Sequence, residues 1–238
     1  MIVYYRISNN SNNILRLPNS TKENCLLNAL KHFEPFVEQF NIIADNVTEE
    51  SLKDFLLNID NKYNKVTLEN TQLGNAGSFW YIFNKALNLP DDTNVYLLED
   101  DYVHKPNSYN ILCEGLERGD YVTLYDHNDM YKNHSEGGDN PFIENGGEIT
   151  RVILTENSHF KMTISTTLTF ATKSKTLKED FDVWQLYTGG VGVSDFHAFV
   201  KLREKERSLL TPIPGYSTHA CIGYLSPLHD WEKEILNI

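Results

Sequence analysis

Over its first 125 residues the chain alternates short apolar runs with segments of helical spacing, and that alternation leaves few architectures open. Residues 2–7, 40–44, 65–68, 95–98 and 121–125 read as strands, rich in β-branched and aromatic side chains. Between the first two, Cys25, Leu26, Leu27, Leu30 and Phe33 fall on one helical face, with Ser20 or Thr21 placed to cap the start. Thr48-Glu49-Glu50-Ser51 opens a second helix, with carboxylates in the first turn where the helix dipole favours them. Gly74-Asn75-Ala76-Gly77 reads as a turn, residues 78–87 as a helix after it, and Ile111, Leu112 and Leu116 mark another beyond Pro106. Such a pattern predicts an α/β fold, a mostly parallel central sheet with helices on both faces. In these sheets ligands collect at the carboxyl ends of the strands. Here the early strands end in Asp45-Asn46, Glu69-Asn70, Glu99-Asp100-Asp101 and Asp126-His127, so polar groups are expected along one edge.

The second half reads differently. Residues 127–150 are polar and carry the pairs Gly137-Gly138 and Gly146-Gly147, the composition of a long functional loop. Residues 161–172 alternate as one strand through Met162, Ile164, Leu168 and Phe170. Residues 195–206 form a helix with Phe196, Phe199, Val200 and Leu202 on its buried face, and residues 212–227 are mostly irregular. No repeat and no interdomain linker interrupts the 238 residues, which predicts a single domain in two halves, 1–126 and 127–238.

Charge narrows the choice of partners. There are 21 Lys and Arg against 33 Asp and Glu, so the net charge of −12 opposes nucleic-acid binding, and no basic stripe overrides it. An anionic small substrate would need a local remedy, either a metal ion or aimed backbone N–H groups. Cys25, Cys113 and Cys221 are isolated and odd in number, which fits neither a disulfide framework nor a structural zinc site and suits a reducing, cytoplasmic setting. The start of the chain reads as a strand rather than a signal peptide, and no transmembrane segment is expected.

The segment Val95-Tyr96-Leu97-Leu98-Glu99-Asp100-Asp101 is the most informative. Three adjacent carboxylates at the mouth of a buried strand repel one another, and a divalent cation relieves that repulsion. Oxygen ligands suit Mg²⁺ or Mn²⁺. Asp101 is the first choice as direct ligand, while Asp100 and Glu99 are candidates for a donor ribose or a metal-bound water. The plain alternative is a solvated acidic turn.

At this point the sequence resembles the GT-A glycosyltransferases, particularly the family 2 group, and the likeness runs through most of the chain. Asp45 resembles the acid that recognises the nucleotide base, and Leu73-Gly74-Asn75-Ala76-Gly77-Ser78 resembles the glycine-containing turn beside the nucleotide. Glu99-Asp100-Asp101 resembles the DxD metal motif, with glutamate in first place. Gly189-Gly190-Val191-Gly192-Val193-Ser194-Asp195 looks like the segment that presents the catalytic base, and His219 resembles the late histidine that completes the metal site. The ending, from Thr218-His219-Ala220-Cys221 to His229-Asp230-Trp231, also looks like small virus- or phage-encoded relatives, for which the host cytoplasm would be the setting.

The resemblance implies a GT-A-like (Rossmann-like) fold and metal-dependent transfer of a hexose or N-acetylhexosamine. The partners would be a nucleoside-diphosphate sugar and a glycan or other hydroxyl acceptor. Residues 1–126 would hold the nucleotide sugar, and residues 127–238 the acceptor and catalytic base. On this reading Asp195 is catalytic, and Asp45, Gly74, Asn75, Gly77, Glu99, Asp100 and Gly190 bind the donor. Asp101 and His219 hold Mn²⁺ or Mg²⁺, and transfer proceeds with inversion if Asp195 is the base, a retaining reaction being the alternative. Bland roles stand beside these: Ser194 or Asp195 as an N-cap, His219 as a hydrogen-bonded loop residue and Asp45 as an Asx-turn. Tyr4 and Arg6 are candidates for the base or a phosphate, and Trp184 and Tyr187 for stacking on the acceptor. Two other functions fit less of the chain. A sugar-phosphate nucleotidyltransferase would want a glycine-rich basic loop after the first strand, where residues 8–19 offer Arg16 but no glycine. A non-catalytic nucleotide-sugar or carbohydrate-binding module would keep the fold without the reaction.

Overall fold

A computed structural model of the chain describes residues 1–9, 15–138, 140–143, 146–190 and 192–238. The expected connection over residues 8–19 therefore lies partly outside the described residues, as does Val191 of the glycine segment. In chain order the elements begin β1 (Ile2–Ser8), α1 (Lys22–Phe33), β2 (Gln39–Asp45), α2 (Glu50–Lys62), β3 (Val66–Thr71), α3 (Gly74–Leu87) and β4 (Asn94–Glu99). They continue with β5 (Tyr102–His104), α4 (Ser108–Leu116), β6 (Tyr121–Val122), β7 (Val152–Leu154), β8 (His159–Thr163) and β9 (Phe170–Lys173). The last are α5 (Ser174–Glu179), α6 (Phe181–Thr188), α7 (Asp195–Glu204), β10 (Leu209–Ile213), β11 (Ser217–His219) and α8 (Trp231–Leu236).

Among the described residues, nine strands form one sheet in the order β3-β2-β1-β4-β9-β6-β10-β8-β7, and β5 pairs with β11 apart from it. Only β9 and β8 run against the rest, so the expected mostly parallel α/β sheet is what forms. The early strands read as continuous apolar runs because both faces are covered. Val3, Tyr5 and Ile7 of β1 pack with Leu26, Leu30 and Phe33 of α1, while Tyr4 faces the opposite side with Phe79, Ile82 and Phe83 of α3. Register then sets the site, for Ser8, Asp45 and Thr71 stand level at the carboxyl edge and Arg6 lies opposite Glu99.

Three local expectations change. The segment 161–172 is not one strand: β8 pairs with β10, β9 pairs with β4 and β6, and the chain turns between them. That turn passes through Leu168 at φ 50°, a left-handed conformation that leucine rarely adopts. Helix α3 starts at Gly74 rather than Ser78, with Gly74 itself at φ 72°, where the lack of a Cβ matters. The strand expected over residues 121–125 shortens to Tyr121–Val122, while residues 212–227 are mostly irregular apart from the end of β10 and β11. The cap on α1 is Thr21, whose hydroxyl accepts the Asn24 N–H.

Helix α4 packs on β6 through Gly115, where a Cβ would lie 2.7 Å from Val122 Cγ1 and 2.9 Å from Phe160 Cε1. Overpacking of this kind costs about 1–3 kcal/mol, against a helix preference of alanine over glycine of about 1 kcal/mol. Gly115→Ala is therefore expected to destabilise the fold by up to about 2 kcal/mol in urea titrations. A more stable variant would show that α4 stands off the sheet.

Candidate active site

A cavity of about 450 Å³ opens at the carboxyl edge of the sheet, walled by the ends of β1, β2 and β4, the first turn of α3, and the chain just after β11. Seven of the ten residues assigned to the site from the sequence line it: Asp45, Gly74, Asn75, Glu99, Asp100, Asp101 and His219. Gly77, Gly190 and Asp195 do not. A Cβ on Gly77 would come within 2.9 Å of Leu73 Cβ, so that glycine serves close packing of the helix start rather than the donor. Gly190 is exposed, with open space where its side chain would be.

Asp45 closes β2 and is almost fully buried. Its Oδ1 accepts from the Leu73 N–H at 2.7 Å and the Thr71 hydroxyl at 2.8 Å, and its Oδ2 accepts from the Asn46 amide at 2.9 Å. These bonds join β2 to the entry of α3 and fix the carboxylate at the cavity wall.

The three acids after β4 part company. Glu99 Oε1 accepts from Arg6 Nε at 2.9 Å and Nη2 at 2.6 Å, and the same guanidinium reaches the Asn75 carbonyl at 2.6 Å and Ser78 Oγ at 2.8 Å. Burial still pushes the Glu99 carboxyl up to about 7, because desolvation outweighs the arginine. Asp100 Oδ2 accepts from Lys22 at 2.5 Å and from the Ser8 N–H at 2.9 Å, and burial raises this carboxyl too. Mutual repulsion among the three is thus relieved in two cases by cations of the chain itself. Sequence reading missed Lys22 entirely, and it offered Arg6 to the base or a phosphate when the side chain is spent on Glu99 and α3. Tyr4, nominated with it, lies in the core.

Asp101 is the acid left over. Its Oδ2 lies 3.0 Å from His219 Nε2, with only a slack approach of 3.8 Å from Arg16. Burial would raise this carboxyl, but the His219 contact and the nearby Arg16 and Lys22 charges turn the shift downward, so it is held as the anion. The pair is set by backbone: β11 runs antiparallel to β5 with His219 opposite Tyr102, and the Ala220 N–H donates to the Asp101 carbonyl at 2.7 Å.

One carboxylate oxygen and one imidazole nitrogen, both on the cavity, fit a divalent cation that takes its remaining ligands from substrate phosphate and water. The imidazole favours Mn²⁺ over the harder Mg²⁺. Neither Glu99 nor Asp100 joins this pair, since among the described residues no three His, Cys, Asp or Glu side chains converge on one point. Asp101 and His219 are the residues that would hold the ion.

Asp195 stands behind the cavity wall as the first residue of α7. Its Oδ2 accepts the N–H of Leu168, the wall residue of left-handed conformation, at 2.7 Å. Desolvation lifts the carboxyl to about 6, even though the N–H groups of Leu168, Phe196 and its own residue favour the anion. A carboxyl poised near neutrality beside a ligand cavity is suited to accept a proton. Ser194, the alternative cap, makes no side-chain capping bond and instead lies 2.7 Å from His197 Nδ1.

Of the aromatic candidates, Trp184 is fully buried and stacks on Phe170 at 4.9 Å, so it is core and not an acceptor platform. Tyr187 is half-buried and stacks on His197. Among the described residues no helix is long and apolar enough to cross a membrane.

Fold and edge site together define the GT-A class of α/β structure. Solved structures agree. GalNAc-T7, crystallised with UDP, GalNAc and Mn²⁺, superposes with a TM-score of 0.61 at 14% identity over 92% of this chain and 42% of its own. Residues 1–349 of S. aureus TarS give 0.53 at 12% identity over 88% and 57%. The chain therefore spans about half the length of these proteins, and at such identities what is shared is the GT-A fold. No protein-family model matches the sequence, and no curated protein does.

Proposed function

We propose that the chain is a metal-dependent glycosyltransferase that moves a hexose or N-acetylhexosamine from a nucleoside-diphosphate sugar to a hydroxyl of a glycan or other acceptor. The observation that carries this reading is the Asp101–His219 pair facing a 450 Å³ cavity at the carboxyl edge of a GT-A sheet. GalNAc-T7, which shares the fold, was crystallised with UDP and Mn²⁺, and this supports the same ligand classes here.

In this mechanism Asp45 and the first turn of α3 hold the nucleoside, with Asn75 and Asn46 on the same wall. Glu99 and Asp100, each matched to a cation of the chain, shape the floor without adding unbalanced charge. Asp101 and His219 are the residues that would hold a divalent cation, preferably Mn²⁺, whose positive charge would offset the negative charge of the diphosphate. Asp195 removes the proton of the acceptor hydroxyl as that oxygen attacks the anomeric carbon from the face opposite the diphosphate, giving inversion. Residues 1–126 form the donor half and residues 127–238 the acceptor half, from which His219 reaches back.

Thermal shifts with a panel of nucleoside-diphosphate sugars, with and without Mn²⁺, test the reading. A cognate donor at about 100 times its Kd adds about 2.7 kcal/mol, or roughly 5–11 °C for a domain of this size, and chelation should remove most of it. Shifts that ignore both sugar nucleotide and metal would refute the proposal. Pyrophosphate release from a nucleoside triphosphate and a sugar phosphate would replace it with nucleotidyl transfer.

A further inference from the structure

The two arginines on the cavity wall differ in what they have left to give. Arg6 has Nε, Nη1 and Nη2 all engaged with Glu99, Asn75 and Ser78. Arg16 has none engaged so firmly: Nη2 approaches Asp101 only to 3.8 Å, beyond hydrogen-bond range, and Nη1 is buried with no hydrogen-bond partner among the described residues. A buried guanidinium N–H left unpaired is unfavourable, and the residue that carries it lines a cavity with room for a ligand.

Its position is not accidental. Arg16 forms an antiparallel bridge with Cys221, bracketed by Leu17 N–H to the Ala220 carbonyl at 3.0 Å and Ile222 N–H to the Leu15 carbonyl at 2.9 Å. Leu17, Ala220 and Cys25 pack with Trp231 of α8, so the strap is anchored in apolar core. It therefore fixes Arg16 beside the stretch that carries His219, and the guanidinium, imidazole and Asp101 carboxylate share one corner of the cavity.

We infer that Arg16 is the diphosphate-binding residue of the site, its guanidinium taking phosphate oxygens next to a cation held by Asp101 and His219. This rests on the transferase reading and deepens it. The planar fork matches phosphate geometry, which a lysine's point charge does not. Charge also requires such a group: with Glu99 matched to Arg6 and Asp100 to Lys22, Asp45 and Asp101 remain, and an entering diphosphate adds further negative charge. One divalent cation alone leaves the corner short of positive charge, and Arg16 supplies it.

The inference makes two predictions of opposite sign. In Arg16→Gln, calorimetric affinity for Mn²⁺-pyrophosphate and for the Mn²⁺ complexes of UDP, GDP and ADP should fall about 10- to 150-fold, the loss of charge-assisted hydrogen bonds. Mn²⁺ alone, followed by electron paramagnetic resonance, should bind about 3- to 10-fold more tightly, because a positive charge next to Asp101 is gone. Arg16→Lys should recover part of the phosphate affinity, and unchanged melting temperatures would show that both variants fold. Equal pyrophosphate and nucleotide affinity in wild type and Arg16→Gln overturns the inference while leaving the transferase reading intact. Loss of pyrophosphate binding in the variant, with no nucleoside diphosphate binding the wild type better than pyrophosphate, keeps Arg16 and removes the nucleotide reading. A wild type that binds neither probe overturns both.

Discussion

Asp195→Asn is expected to lower the rate of sugar transfer by about 10²–10⁴-fold, the usual contribution of a positioned general base, with donor affinity nearly unchanged. The amide keeps an oxygen to accept the Leu168 N–H, so the wall it braces stays in place, but it cannot take a proton. Because burial puts the carboxyl near 6, the wild-type rate should carry an acid limb around that pH. Below it the group is protonated and transfer falls tenfold per pH unit; above it the rate is level. Stability moves the other way. A carboxyl raised in the folded state is easiest to accommodate when protonated, so its ionisation opposes folding as pH rises past the unfolded value near 3.8. Asp195→Asn should therefore melt no lower than wild type at pH 7. Rapid transfer by the variant, or a low melting temperature that accounts for the lost rate, would remove Asp195 from the chemistry.

Asp101→Ala should weaken Mn²⁺-dependent donor binding by about 10²-fold or more, since the ion would lose its one carboxylate and keep a lone imidazole. His219→Ala, which leaves the charged ligand, should cost about tenfold. Asp100→Ala is the informative control. Its carboxylate is matched to Lys22 and to the Ser8 N–H, so removing it should lower the melting temperature more than the Mn²⁺ affinity. Titrations of Mn²⁺ and donor on the three variants decide the order. If Asp100→Ala and Asp101→Ala lose metal equally, the division of labour drawn from the ion pairs is mistaken.

That division could not be seen in the sequence, and the reason is physical. Glu99, Asp100 and Asp101 stand out as a run because adjacency is local, and the apolar strand before them tells where they must lie. Arg6 and Lys22 reach them across 93 and 78 residues, and pairing over such a span leaves no periodicity to find. Only a count of charges, asking what balances three acids on a buried edge, would have prompted a search for basic partners. The same contrast runs through the fold. Strands β1, β2 and β4 were legible because each is covered on both faces and reads as an apolar run. The break between β8 and β9 was hidden, because the alternation of apolar residues continues through a turn made at Leu168 with neither glycine nor proline. Strands β5 and β11, three residues each, are too short for any pattern, yet they bring His219 to Asp101. Asp195 was singled out through the resemblance of the segment 189–195, but its bond to Leu168 was not foreseeable.

The pairing of Asp101 with His219 across 118 residues, and of Arg16 with Cys221, also has a consequence for biosynthesis. A ribosome releases β1, β2 and β4, whose ends wall the cavity, before the later strands, and they can begin to assemble while translation continues. The corner formed by Arg16, Asp101 and His219 has no such head start. Its histidine emerges 118 residues after Asp101, and the Cys221 bridge that positions its arginine follows, so a nascent chain that has exposed only the early strands carries half a pocket.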